Sequence, residues 1–350
     1  MRYPKFLEQG GTIGFLAPAF GCSTQPYKDA FDHSLTKWQG MGFKTLLGPN
    51  CYAGDGVGIS TTPEKCGAEV GEMFENQEAD VLISCGGGEL MCEILEHVDF
   101  DKLKAVEPKW FMGYSDNTNL TYLLATICDT ASIYGPCASA FGMEPWHPAL
   151  HDALDLMMGK RQCVNAYSLW EAESLKDEEH PLEPYHVTME RVLTVYEPDK
   201  GLKTVTDKDY RTTFSGRLIG GCLDCLVNLV GTEFDHTKEF CERYKEDGII
   251  WFLEACDLNV FGIRRAMWAM EHAGWFQHVK GFLIGRSLNG ENMFNLDHFQ
   301  AFLHVAKTKN VPVLFDLDIG HLPPMMPLVE GSLATVSVEG DMVSVQMEYC

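Results

Sequence analysis

One serine sits where acyl-transfer chemistry could be done. Gly113-Tyr114-Ser115-Asp116-Asn117-Thr118 follows the apolar run Trp110-Phe111-Met112 and precedes a helical spacing of Leu120, Tyr122, Leu123, Leu124 and Ile127. The pattern predicts a buried strand, a sharp turn at Ser115 and a helix that starts at once. A hydroxyl on such a turn projects from the end of a sheet, and the first N–H groups of the helix face the same place. An exposed nucleophile beside unpaired donors is what acyl transfer needs. The other reading is a serine helix cap whose oxygen satisfies one backbone N–H.

Two further residues extend the first reading. Glu254 ends the apolar run Ile249-Ile250-Trp251-Phe252-Leu253. A carboxylate there is costly to desolvate and needs a partner, either a catalytic histidine or Arg264 or Arg265 in a salt bridge. His321 lies among Gly320, Pro323 and Pro324, on a loop stiff enough to aim an imidazole. It can be a base or a packed or solvent-facing histidine, since the chain holds 12. Nucleophile, carboxylate and base come in the order seen in α/β-hydrolases. Their elbow is Gly-x-Ser-x-Gly, and Asn117 stands at the last position here, which argues against that fold.

The run Cys85-Gly86-Gly87-Gly88 follows a strand pattern over 79–84 and lets backbone N–H groups approach a ligand. It fits a phosphate cradle, half of an oxyanion hole facing Ser115, or a tight turn alone. Neither the dinucleotide fingerprint nor the Walker ending is present, which weighs against a nucleotide. Cys85 at the strand end is a rival nucleophile. Cys222 and Cys225 form a lone Cys-x-x-Cys within an apolar spacing of Leu218, Leu223, Leu226, Val227, Leu229 and Val230. That spacing predicts thiols packed in a helix, and no second pair exists to complete a zinc ribbon.

These residues need elements to hold them. Short apolar strands alternating with helices over residues 12–136 predict a doubly wound α/β domain. In such sheets ligands lie off the carboxyl ends of the strands, the edge where 84–88 and Ser115 fall. Residues 1–150 form this first domain. Residues 151–213, rich in charge and proline, are expected as a connecting segment. Residues 214–350 are expected as a second α/β domain carrying Glu254 and His321. Of the 350 residues, 45% are hydrophobic and 22% charged, ordinary for a globular enzyme. A formal net charge of -23 repels phosphate backbones and anionic membranes, so no nucleic-acid or membrane partner is expected. Thirteen cysteines without a regular framework point to reduced thiols. The first residues lack the apolar core of a signal peptide and no run approaches a membrane span, so a cytoplasmic protein is expected.

Four motifs in order carry a resemblance. Gly113 to Thr118, Ser215-Gly216-Arg217-Leu218-Ile219-Gly220-Gly221, Phe252-Leu253-Glu254 with Arg265 downstream, and Gly320-His321 resemble the LD-carboxypeptidase serine peptidases. That family includes murein tetrapeptide carboxypeptidases and microcin C self-immunity proteins, and the match runs from about Gly11 to about Val343. The resemblance implies a Ser115, Glu254 and His321 triad and an oxyanion hole from the N–H groups of Asp116 and Gly87. It implies a flavodoxin-like first domain with a parallel sheet, a smaller swivelled α/β second domain, a homodimer, no metal and no cofactor. The expected activity is cleavage of an amide bond in a small peptide or peptide-like substrate. The chain departs from the murein enzymes, which carry Arg-Gly-Gly-Tyr-Gly where Cys85-Gly86-Gly87-Gly88-Glu89 stands and an acidic residue where Ala255 stands. Val81 to Gly87, Val98-Asp99-Phe100-Asp101 and Tyr134-Gly135-Pro136 are closer to the microcin-immunity branch, so an aminoacyl-nucleotide amide is the alternative substrate.

Overall fold

The computed structural model describes residues 1–349. The chain divides into two compact units, Met1–Arg161 with Glu173–His186 and Gln162–Ala172 with Val187–Cys350.

In the first unit the elements run β1 (Thr12–Leu16), α1 (Tyr27–Gly40), β2 (Lys44–Leu47), α2 (Pro63–Glu75), β3 (Val81–Ser84), α3 (Phe100–Ala105), β4 (Phe111–Gly113), α4 (Thr118–Thr126), β5 (Ser132–Tyr134) and α5 (Pro148–Met157). The strands pair in parallel in the order β2-β1-β3-β4-β5. This is the flavodoxin-like order. β3 and β4 are buried along their whole length, which is why they read as unbroken apolar runs without alternation. Every residue of α4 is buried too, so this helix is part of the core. The glycine turn after β3 leads into a 3₁₀ segment, Met91–His97.

In the second unit the elements are β6 (Cys163–Asn165), β7 (Leu169–Trp170), β8 (Met189–Glu190), β9 (Thr194–Glu197), β10 (Gly201–Thr204), β11 (Arg211–Cys222), α6 (Leu223–Leu229), α7 (Thr237–Arg243), β12 (Ile249–Glu254), α8 (Val260–His272), β13 (Val279–Gly285), α9 (His298–Lys309), β14 (Val313–Leu317), β15 (Leu328–Glu330), β16 (Leu333–Glu339) and β17 (Met342–Glu348). Nine strands form one sheet in the order β10-β9-β14-β13-β12-β11-β16-β17-β6. Its centre, β11 to β14, is parallel, and the flanks are antiparallel. Residues 187–213, expected as connector, hold β8, β9 and β10; the second unit thereby takes half of the chain. Helices α8 and α9 start on side-chain caps, Asn259 and Asp297, and α9 ends on Asn310 in the left-handed region at φ 58°.

One expectation is corrected. Cys222 closes β11 and Cys225 lies in α6, so the pair spans a strand-to-helix junction and not a helix interior. The apolar spacing through Leu218 misleads because β11 is buried on both faces at its end and shows no alternation there.

Candidate active site

Ser115 lies just beyond the carboxyl end of β4. Its backbone is in the left-handed region, φ 63°, where a residue with a Cβ is strained. A 3₁₀ turn, Ser115–Asn117, then leads into α4; the cap positions are Tyr114 and Asn117, so Ser115 is not the helix cap of the alternative reading. Such a turn lifts the side chain away from its flanking elements. Beside it runs the glycine turn of β3. A Cβ built on Gly87 would lie 3.2 Å from both Cβ and Oγ of Ser115, so any side chain there would push on the serine by a few tenths of an ångström.

Two hydrogen bonds tie the two turns together, Asn117 with Gly86 and Met91 with Asp116, and two more brace them. The Asn117 amide donates to the Gly86 carbonyl at 2.8 Å. The Phe20 N–H donates to the Gly87 carbonyl at 2.6 Å. The Asp116 carboxylate accepts from the Met91 N–H at 2.8 Å and from the Asn119 amide at 3.0 Å. With the Gly86 carbonyl held by Asn117 and by Ser84 Oγ, peptide planarity fixes the opposite direction for the Gly87 N–H. The Ser115 N–H donates to the Tyr134 hydroxyl at 3.3 Å.

Cys85 sits at the same edge, fully buried. Desolvation, helped by contacts with Cys22 and Cys51, pushes its thiol well above the usual value. Burial without a cationic partner makes a thiol inert, which removes the cysteine-nucleophile alternative.

Glu254 closes β12 and is fully buried. Its Oε2 meets His321 Nδ1 at 2.9 Å. The expected partnership of carboxylate and imidazole is therefore the one observed, and Arg264 donates to the Gln300 carbonyl. Gly320 makes the approach of the His321 loop feasible. Its φ is 101°, and a Cβ there would lie 2.6 Å from Glu254 Oε2. Burial alone would lower the His321 pKa. The Glu254 charge and the hydrogen bonds the imidazole makes to Cys256 and Glu254 outweigh it and hold the imidazole above its ordinary value.

The loop after Glu254 is set by a residue that sequence reasoning missed. Asp224, in the first turn of α6, accepts from the N–H groups of Cys256 at 3.0 Å and of Asp257 and Leu258 at 2.9 Å. Asn117 and Tyr134 were missed as well. For Asp224 the available signal was an acidic residue in a first helical turn; for the other two no local pattern existed. Among the described residues no group of three or more His, Cys, Asp or Glu side chains is arranged to hold a metal ion. No helix among them is long and apolar enough to cross a membrane.

Ser115 with Gly87 and Asp116 thus belongs to the first unit, and Glu254 with His321 to the second. Comparison with known proteins agrees with the strand order and the motifs. The LD-carboxypeptidase N-terminal domain matches residues 13–135, and the LD-carboxypeptidase C-terminal domain matches residues 215–336. A putative carboxypeptidase of Treponema pallidum is 22% identical over 345 residues, covering 97% of this chain and 94% of the relative. The microcin C7 self-immunity protein MccF of Escherichia coli is 24% identical over 357 residues, covering 98% and 95%. The solved structure of MccF in its wild-type apo state superposes with a TM-score of 0.79 at 21% identity, covering 100% of this chain and 99% of the other. With both domain matches in sequence order and spanning most of its length, the chain belongs to the LD-carboxypeptidase family of serine peptidases.

Proposed function

We propose that the chain cleaves an amide bond in a small peptide or peptide-like substrate with Ser115 as nucleophile, His321 as base and Glu254 as orienting carboxylate. The observation that carries this reading is the buried Glu254 carboxylate on His321 Nδ1 at 2.9 Å. It fixes the imidazole tautomer and leaves Nε2 to exchange protons. His321 takes the Ser115 proton as the hydroxyl attacks the carbonyl carbon. The N–H groups of Gly87 and Asp116 hold the oxyanion, each donor contributing roughly 3–4 kcal/mol. His321 then protonates the leaving amine, and water clears the acyl-enzyme. On the family resemblance we assign a homodimer; a monomer mass by light scattering would remove it.

A second substrate reading has support of its own. MccF, a self-immunity protein by name, has been solved in complex with aspartyl sulfamoyl adenosine. Cys85 to Glu89 and Ala255 depart from the murein enzymes, and Val81 to Gly87, Val98 to Asp101 and Tyr134 to Pro136 are closer to the microcin-immunity branch. The test is a hydrolysis screen of a murein tetrapeptide and an aminoacyl-nucleotide amide, each with Ser115→Ala as control. One of the two should turn over, the variant should lose about 10⁴-fold in rate, and a chelator should leave turnover intact. Near-normal turnover by Ser115→Ala would remove the nucleophile assignment.

A further inference from the structure

Cys222 and Cys225 have no part in the amide-cleavage scheme, yet their place in the second unit is specific. Cys222 ends β11 and caps α6, and Cys225 stands three residues on, in the first turn of that helix. A cap residue and the third helical residue bring their side chains together across the turn. The two thiols are accordingly in hydrogen-bond contact. Both are free thiols; Cys222 is 2% exposed and Cys225 is half-buried. One residue of the pair meets solvent and the other does not.

The pair lies against the carboxylate side of the site. Cys222 stands opposite Glu254 in the parallel register of β11 and β12. Its thiol donates to Asp224 Oδ2 at 3.4 Å. The same oxygen accepts from the Cys256 N–H at 3.0 Å, while Oδ1 accepts from the N–H groups of Asp257 and Leu258. The residue between the two cysteines therefore holds the loop that follows Glu254, and one of its four donors is a thiol.

The two sulfurs have different roles to play in thiol–disulfide exchange. The Cys225 thiol, burial and the Glu254 charge push the Cys222 thiol well above its usual value, so Cys222 does not attack an oxidant from outside. Cys225 is the accessible attacker. Cys222 is the resolving thiol, beside a carboxylate that can take its proton. An S–S bond is about 2.0 Å long. Closing it draws the Cys222 sulfur onto Cys225 and removes the S–H that Asp224 accepts.

We propose that Cys222 and Cys225 form a reversible disulfide that loosens the loop after Glu254, with a small-molecule disulfide as the oxidant. The Cys225 thiolate attacks one sulfur of that molecule, forms a mixed disulfide and releases a first thiolate. Cys222 gives up its proton by way of Asp224 Oδ2 and attacks the Cys225 sulfur, expelling a second. Two protein thiols are oxidised, the small disulfide is reduced to two thiols, and the two protons end on them. The effect on turnover rests on the amide-hydrolase reading; the disulfide and the loosened loop stand without it.

The test incubates the full chain with oxidised glutathione, digests it without reductant and maps the peptides by mass spectrometry. A Cys222–Cys225 disulfide should appear, lighter than the dithiol by two hydrogens and free of glutathione, and dithiothreitol should remove it. Amide hydrogen exchange over residues 255–258 should quicken roughly threefold or more in the oxidised protein. Cleavage in the hydrolysis screen should slow roughly threefold. Cys225→Ser, a conservative change at a half-buried position, should keep its exchange and its rate when oxidised glutathione is added. Cys222→Ser, whose hydroxyl still donates to Asp224, should do the same. No disulfide between these two residues, or one that leaves exchange at 255–258 as it was, would overturn the proposal. So would a loss of rate in Cys225→Ser equal to that of the parent, which would place the sensitive thiol elsewhere. The disulfide with faster exchange but without Ser115-dependent cleavage removes the hydrolase reading alone. Ser115-dependent cleavage by a chain that forms no such disulfide removes the switch alone.

Discussion

Glu254 holds its carboxylate where no solvent reaches, and the imidazole of His321 is what makes that tolerable. The converse holds for His321: its proton is retained to higher pH than in a free imidazole, because the neighbouring negative charge outweighs burial. A base must be neutral to act, so kcat/KM should rise with pH along a limb displaced upward from about 6.5. Glu254→Gln removes the charge and leaves only the burial. The limb should then move to lower pH while the rate falls by about 10²–10⁴; a pH–rate profile of the two proteins checks both, and an unmoved limb would separate His321 from Glu254. By linkage, the pair stabilises the fold below about pH 6.5, and that contribution fades as pH rises through the elevated value. Ser115, Gly87 and His321 could be singled out from the sequence because each lies near glycine or proline beyond an apolar run, and Glu254 because it closes one. Asn117 and Tyr134 were not. They act through bonds to backbone groups 31 and 19 residues away in the chain, and no spacing registers such a contact.

Strand ends are held by acids on neighbouring elements. The first turn of α6 holds the loop after β12 through three N–H groups converging on Asp224. Asp224→Ala should lower stability by about 3 kcal/mol, since bonds to a charged acceptor count for more than neutral ones. It should also lower kcat about tenfold by loosening the residues next to Glu254. Asp224→Asn, which keeps one acceptor oxygen, should fall between. Urea unfolding and steady-state rates read the two effects, and an unchanged kcat in the alanine variant would sever this anchor from the site. Elements were legible where buried parallel strands give unbroken apolar runs, as in β3, β4 and β12. They were obscure where strands are two to four residues long, as in β7 to β10, and where the end of β11 is glycine-rich and apolar on both faces. In such pieces neither alternation nor a helical period has room to show itself.

Across the whole molecule, the acidic balance and the reduced cysteines were readable from composition; the twelve cysteines among the described residues are free thiols, eight of them buried. The apportioning of residues 151–213 was not readable, because a chain that leaves one unit and returns to it leaves no mark in local sequence. The left-handed backbone of Ser115 bears on the stability of the entire fold. A glycine there would relieve the strain that any Cβ imposes, so Ser115→Gly should melt above Ser115→Ala, by about 1 kcal/mol in free energy. Both proteins would be inert, and only one would be relaxed. A breeder selecting this chain for heat resistance alone, with no assay for turnover, should therefore see the hydroxyl exchanged for a hydrogen and the activity discarded with it.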